Sequence, residues 1–377
     1  MVNTVFDISI DFVKSHGSYV FDKRSKKYFL DLFSMFSSLP LGYNHEIFDV
    51  EFDKTVQHLS HLRMCNNLFH SDELENFGRR LKDVAFHPNI HFSSTGALAV
   101  ESGLKCGYEY TKNPELIVVG LQNSFHGINS WGLITDCSIE AVKNRTINYP
   151  RNDWRNLPIN GVIDFIAENS KQISSVIVEP IQCTAGDIHL DIQKLKNIQD
   201  ICKDNDICFI TDEIQTGFGV TGEYWYSNGI GLEPDIIVFG KKSQICGIMA
   251  SDKYASAIKS KYRKLEVTFD GDLIDAVRAQ YIIDAIDKFS LLQNVKKNSK
   301  VLASELSGLF ENYRSAGYLI AFDFGSKNLR DNFVSNAYEN HLLVNPTGEK
   351  SVRLRPNLAF TDNEIDDFLF IIKKIRV

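Results

Sequence analysis

The stretch 207–242 opens with Ile207-Cys-Phe-Ile-Thr-Asp-Glu213 and closes with Asp235-Ile-Ile-Val-Phe-Gly-Lys-Lys242. Each end is a short β-branched and aromatic run that finishes in charged residues, and the chain between them is long enough for a crossover connection. Outward from it the same pattern recurs in Asn89-Ile-His-Phe-Ser-Ser94, Leu116-Ile-Val-Val-Gly120 and Ser175-Val-Ile-Val-Glu179. Helix-length amphipathic segments, expected at 97–111, 191–204 and 272–287, fall among these runs. Alternation of this kind predicts an α/β fold with a mostly parallel sheet and helices on both faces.

The flanks read differently. Tyr19-Val-Phe and Lys27-Tyr-Phe-Leu-Asp-Leu surround a charged tip and predict a hairpin. After a helix expected near 290–313, Tyr318-Leu-Ile-Ala-Phe-Asp-Phe and Ser351-Val-Arg-Leu-Arg-Pro read as strands, with 362–376 as a closing helix. The expected division is therefore a large domain at 46–287 and a smaller α+β domain built from 1–45 and 288–377. With no Pro-rich linker or repeat in view, the two are expected to pack rigidly.

Composition narrows the function classes. A formal charge of −7 without a basic block argues against nucleic acid or an acidic membrane surface as partner and favours a small molecule. The first residues carry acids rather than a basic n-region, and no apolar run approaches the roughly 20 residues of a membrane helix. Seven scattered cysteines without a C-x-x-C pair suit reduced thiols in the cytoplasm rather than disulfides, and no metal site is expected.

In a parallel sheet, ligands sit beyond the carboxyl ends of the strands, and here those ends are polar. They carry Glu179, Asp212-Glu213, Lys241-Lys242 and, at a helix start, Ser94-Thr95-Gly96-Ala97. A lysine shielded from water loses its proton readily and attacks an aldehyde, so Lys241 and Lys242 are both candidates. A buried carboxylate such as Asp212 can keep a pyridine nitrogen protonated. Unpaired N–H groups at a helix start favour a phosphate. These are the parts of a pyridoxal-phosphate site. Singly, each has a plainer reading: the acid pair as a helix cap, Lys241 as an edge lysine, Thr95-Gly96 as a turn, Phe125 as core packing and His126 as a structural histidine.

Together, Gly96-Ala-Leu-Ala-Val-Glu-Ser-Gly-Leu-Lys105, Ser124-Phe-His-Gly127, Val178-Glu-Pro-Ile-Gln182, Asp212-Glu-Ile-Gln-Thr-Gly217 and Phe239-Gly-Lys-Lys-Ser-Gln-Ile-Cys-Gly247 make the chain resemble the ornithine and 4-aminobutyrate branch (class III) of fold type I aminotransferases. The resemblance is greatest to the lysine 6-aminotransferases. It implies a seven-stranded sheet, pyridoxal phosphate as cofactor, and Lys241 rather than Lys242 as the lysine that holds it. It further implies Asp212 at the pyridine nitrogen, Gln215 at the ring hydroxyl, and Ile214 and Phe125 on the two ring faces, with His126 and Glu179 nearby. Thr95, Gly96 and Ala97 would bind the phosphate, joined by Thr268 of a second subunit, so a homodimer with shared sites is implied. Arg353 would receive a substrate carboxylate, while Arg355 reads as a structural or surface charge.

Two positions depart from the resemblance. Ile128 stands where the lysine enzymes have an arginine for the α-carboxylate, and Thr184 replaces a glutamate that covers the carboxylate arginine. Thr268-Phe-Asp-Gly-Asp272 also sets Asp270 or Asp272 near the phosphate or the substrate mouth. The expected activity is transfer of a primary, terminal amino group from a lysine-like donor to an oxo acid such as 2-oxoglutarate. The alternatives are a related enzyme acting on another amine, a sugar or a carrier-bound substrate, and a cofactor-fold protein without turnover.

Overall fold

A computed structural model describes residues 6–65, 69–113, 115–128 and 154–375. Its largest feature is a seven-stranded sheet in the order β3-β11-β10-β9-β6-β4-β5. The strands are β3 (Asn89–Ser93), β4 (Ile117–Leu121), β5 (Trp154–Leu157), β6 (Ile173–Val178), β9 (Cys208–Asp212), β10 (Ile236–Phe239) and β11 (Cys246–Ala250), while β7 (Ile181–Gln182) and β8 (Ile188–His189) pair with each other outside this sheet. Every residue of β6, β9 and β10 is buried, as expected when helices cover both faces of a parallel sheet and the strands lose their polar alternation. β11 alone runs antiparallel to its neighbours. Sequence reading missed it because Cys246-Gly-Ile-Met-Ala250 is short and contains a glycine. That glycine is the adaptation: a Cβ on Gly247 would collide with the His91 carbonyl of β3.

The helices start where side chains cap them. Thr95 Oγ1 accepts from Leu98 N at 3.3 Å at the head of helix Gly96–Thr111, and Asp191 accepts from Lys194 N at 3.1 Å before helix Ile192–Asp204. Asp272 accepts from Ile274 N at 2.9 Å, opening helix Leu273–Lys288.

The expected helix over 290–313 is corrected to Leu291–Leu306. Residues Glu311–Ala316 instead form a strand, β12, paired with β13 (Leu319–Asp323) and, beyond it, β16 (Ser351–Leu354) and β15 (Asn345–Thr347). The switch follows Gly308, where the chain turns so that the Phe310 ring stacks on Phe322 with centroids 3.9 Å apart.

At the other end, β1 (Tyr19–Asp22) and β2 (Lys27–Asp31) make the expected hairpin, and β2 pairs in parallel with β14 (Leu342–Leu343). Ser18 N donates to Glu364 of the closing helix Asp362–Ile375 at 2.7 Å. One continuous core takes in Leu30, Phe239, Met249 and Leu319, so the hairpin, the large sheet and the C-terminal sheet share buried side chains.

Between β2 and the rest of the chain lies a left-handed turn. Ser34, Met35, Phe36 and Ser37 all have positive φ, from 44° to 73°, without a glycine among them. A left-handed run costs roughly 1–2 kcal/mol per residue, so surrounding contacts must hold it. Asp31 Oδ1 accepts from Phe33 N and Ser34 N at 2.9 and 2.8 Å at its start. Lys242 Nζ donates to the Ser37 carbonyl at 3.0 Å and also to its hydroxyl.

Candidate active site

Beyond the carboxyl ends of β4, β6, β9 and β10 the chain closes around a cavity of about 180 Å³. The sequence-predicted Gly96, Ala97, Phe125, His126, Glu179, Asp212, Ile214, Gln215 and Lys241 all line it, and Gly127 and Cys246 complete it. Residues more than a hundred positions apart thus meet because each ends a strand or opens the helix after one.

Asp212 ends β9, where its carboxylate is fixed from two sides. Oδ1 accepts from Ile214 N at 3.1 Å, and Oδ2 lies 2.8 Å from His126 Nδ1. An ionised carboxylate only accepts, so His126 donates from Nδ1. Burial works against the charged imidazole, but the hydrogen bond to Asp212 and that carboxylate's charge outweigh it and raise the His126 pKa. His126, left open by the sequence, is therefore the residue that orients Asp212. Its signal was present only as Phe125-His126-Gly127.

Glu179 takes Phe125 N on Oε1 at 2.6 Å, which ties the loop after β4 to the end of β6. Burial lifts the Glu179 carboxyl to about 8. Glu213, beside Asp212 in sequence, turns away and accepts from Tyr226 N and Ser227 N at 2.6 and 2.9 Å, so for this acid the plainer reading as a helix cap holds.

Lys241 stands after β10 with a positive φ of 53°, and burial lowers its amine to about 8. An amine near 8 is partly neutral at physiological pH, which a nucleophile requires. Lys242 does not reach the cavity, because its amine is spent on Ser37; burial depresses it further still. The geometry thus separates two lysines that sequence chemistry alone left equivalent.

The residues present fit pyridoxal phosphate. Gln215 Oε1 is buried without a hydrogen-bond partner, in a side chain that lines the cavity. Gly96 and Ala97 begin their helix, so their N–H groups lack intrahelical acceptors, as an anion site needs. A Cβ on Gly96 would come within 2.9 Å of Ile214 Cδ1, closing the space between helix start and cavity. Thr95 caps the helix from just outside the lining.

Other expected residues lie apart from this cavity. Thr268 is exposed, on the same flank as the exposed Val267 and Phe269. Ile128 and Thr184 are half-buried. Asp270 is turned inward, accepting from Ser94 N at 3.0 Å and Val267 N at 2.9 Å, so its charge braces the loop before the phosphate-suited helix. Asp272 is a helix cap with Arg63 3.6 Å away. Arg355 is a fully buried partner of Asp187, at 2.8 and 2.5 Å, which excludes the surface reading. Arg353, equally interior, donates to the Cys183 carbonyl at 2.8 Å.

Comparison with known proteins agrees with this chemistry. The model of the family described as aminotransferase class-III matches residues 2–375. The chain is 29% identical to an L-lysine-epsilon aminotransferase of Amycolatopsis lactamdurans, over 97% of this chain and 91% of that protein. It is 27% identical to an acetylornithine aminotransferase of Archaeoglobus fulgidus, over 94% and 92%. A solved lysine aminotransferase from M. tuberculosis superposes with a TM-score of 0.91 at 25% identity, covering 100% of this chain and 96% of that one.

Proposed function

The chain belongs to the class-III aminotransferases, and from that premise we propose that it moves a terminal amino group from a lysine-like donor to an oxo acid such as 2-oxoglutarate. The observation that carries the site assignment is the convergence of Lys241, Asp212 and the unpartnered Gln215 Oε1 on one cavity beside a helix start. Pyridoxal phosphate supplies the electrophilic carbon and the electron sink for the reaction.

The protein's own part divides among named groups. Lys241 Nζ would hold the cofactor, and its amine would carry the proton at the donor's reacting carbon. Asp212 is oriented by His126 and Ile214 N–H, and it would keep the pyridine nitrogen protonated. Gln215 Oε1, unpartnered at the cavity, would face the ring hydroxyl, and Phe125 and Ile214 would hold the ring. Gly96 and Ala97 N–H groups, with the Thr95 hydroxyl, receive the phosphate, and Thr268 of a second subunit completes it. Its exposure beside Val267 and Phe269 supports a homodimer. Ile128 and Thr184, outside the lining described above, would border the substrate's far end, where Arg353 would receive a carboxylate. Six of the seven cysteines are free thiols, the seventh lying outside the described residues, and this supports a cytoplasmic setting.

The test is the visible spectrum of purified protein with pyridoxal phosphate, followed by additions of L-lysine, L-ornithine, 4-aminobutyrate and L-glutamate. A band near that of protein-bound cofactor, bleached by a donor and missing in Lys241→Ala, is expected. A wild-type protein without the band would defeat the assignment.

A further inference from the structure

In the segment Thr268-Phe-Asp-Gly-Asp272 the first acid, Asp270, is almost wholly buried, although Val267 and Phe269 just before it are exposed. Gly271, at a φ of 65°, is the joint that lets the chain turn there, between Asp270 and the Asp272 cap of helix Leu273–Lys288. Inside, the Asp270 carboxylate joins two loops. Its Oδ1 accepts from Ser94 N at 3.0 Å and from the Ser94 hydroxyl at 3.1 Å, and its Oδ2 accepts from Val267 N at 2.9 Å.

Among the described residues no lysine or arginine lies within 4.0 Å of this carboxylate. The one basic side chain so near is His91, whose Nε2 is 3.7 Å away and makes no hydrogen bond. Burial outweighs the pull of Asp270 and lowers the His91 pKa, so the ring is neutral at pH 7. The buried charge is therefore held by the three donors of the two loops. A carboxylate shut away from water needs such bonds, and bonds to an ionised acceptor are about twice as strong as neutral ones.

Both loops lead to groups that would hold a phosphate. Ser94 follows the last residue of β3 and precedes the Thr95 cap, and Gly96 and Ala97 come next, on the cavity wall. Val267 precedes Thr268. Asp270 does not line the cavity itself. We propose that Asp270 is a positioning residue for the phosphate end of the site, one carboxylate that fixes both the Ser94–Ala97 helix start and the Val267–Phe269 loop. This rests on the cofactor reading above and adds to it how the phosphate donors are held.

Charge alone argues the other way. A carboxylate near a phosphate repels it, so removing an Asp270 that acted only through its field would tighten binding. Removing an Asp270 that holds the loops loosens it. The sign of the change therefore separates the two.

The experiment titrates the cofactor-free protein with pyridoxal phosphate and, separately, with pyridoxal, which keeps the ring and aldehyde and lacks the phosphate, each followed by absorbance. Wild type binds pyridoxal phosphate about tenfold or more tightly than pyridoxal. Asp270→Ala serves neither loop and weakens pyridoxal phosphate by about tenfold, while pyridoxal stays within about twofold. Asp270→Asn has a single acceptor oxygen, can serve only one loop, and weakens pyridoxal phosphate by less. Where Asp270→Ala fails to fold, Asp270→Asn decides by the same ratio. Unchanged or tighter binding of pyridoxal phosphate by the variants, or equal weakening of both ligands, would overturn the proposal and leave the cofactor reading standing. A wild type that binds the two ligands equally would show that the helix start takes no phosphate, and both would fall.

Discussion

Lys241 and Lys242 are adjacent in sequence and opposite in fate, and the difference is geometric. Both are interior, but only Lys242 finds acceptors, on Ser37. For Lys241 the pKa near 8 fixes a sign: the neutral amine attacks, and its share grows with pH. The rate at which the cofactor-free protein takes up pyridoxal phosphate, followed by visible absorbance, is expected to rise between pH 6 and 9 with a midpoint near 8. The folded pKa lies below the ordinary lysine value, so the unfolded chain holds the extra proton above pH 8. Stability of the cofactor-free protein therefore gains from this group as pH rises beyond 8. A second expectation concerns Asp187→Asn, which leaves buried Arg355 without its counter-charge. Denaturant unfolding should show a loss of about 3–5 kcal/mol. Asp212 and the pair Lys241-Lys242 stood out by residue type at strand ends, whereas Gln215 and the choice of Lys241 came from the resemblance. The link from His126 to Asp212 was not legible, since it depends on the loop after β4 reaching past β6 to the end of β9.

Elements were legible where burial made the pattern simple. β6, β9 and β10 are buried throughout and read as unbroken apolar runs, and the helices with acidic or hydroxyl caps began within a residue or two of expectation. β12 failed because Glu311-Asn-Tyr-Arg-Ser-Ala is exposed to half-buried, so no apolar rhythm marks it. The helix Gly96–Thr111 supplies the element-scale prediction. Its first residue packs against Ile214, so Gly96→Ala must shift that cavity-lining side chain. Equilibrium titration should show cofactor affinity reduced by about 1–3 kcal/mol, with unfolding of the cofactor-free protein nearly unchanged. The left-handed turn at Ser34–Ser37 was invisible in sequence, because none of its residues favours positive φ. Its stability comes from Asp31 at one end and Lys242 at the other.

For the whole molecule, the α/β organisation with a mostly parallel sheet was readable from alternation alone, and the family motifs gave its strand count. The parallel pairing of β2 with β14 was not, since Leu30 and Leu342 carry no mark of partnership. The flank carrying Thr268 exposes Val267, Phe269, Leu62 and Met64, with the Arg63 guanidinium 4.1 Å over the Phe269 ring. A charge there should break the proposed dimer: Phe269→Glu is expected to sediment as a monomer and to lose the cofactor on dialysis that wild type withstands. The pairing of β2 with β14 has a further consequence, in the time it takes to make the chain. Leu30 leaves the ribosome roughly three hundred residues before its neighbour Leu342, which at about 5–20 residues per second is about 15–60 s. Throughout that interval the hairpin's inner edge has no mate, and the buried Ser18 awaits Glu364 from the last helix. Residues 18–31 therefore depend on residues 342–364, and the nascent chain must be kept from pairing with others until those have been made.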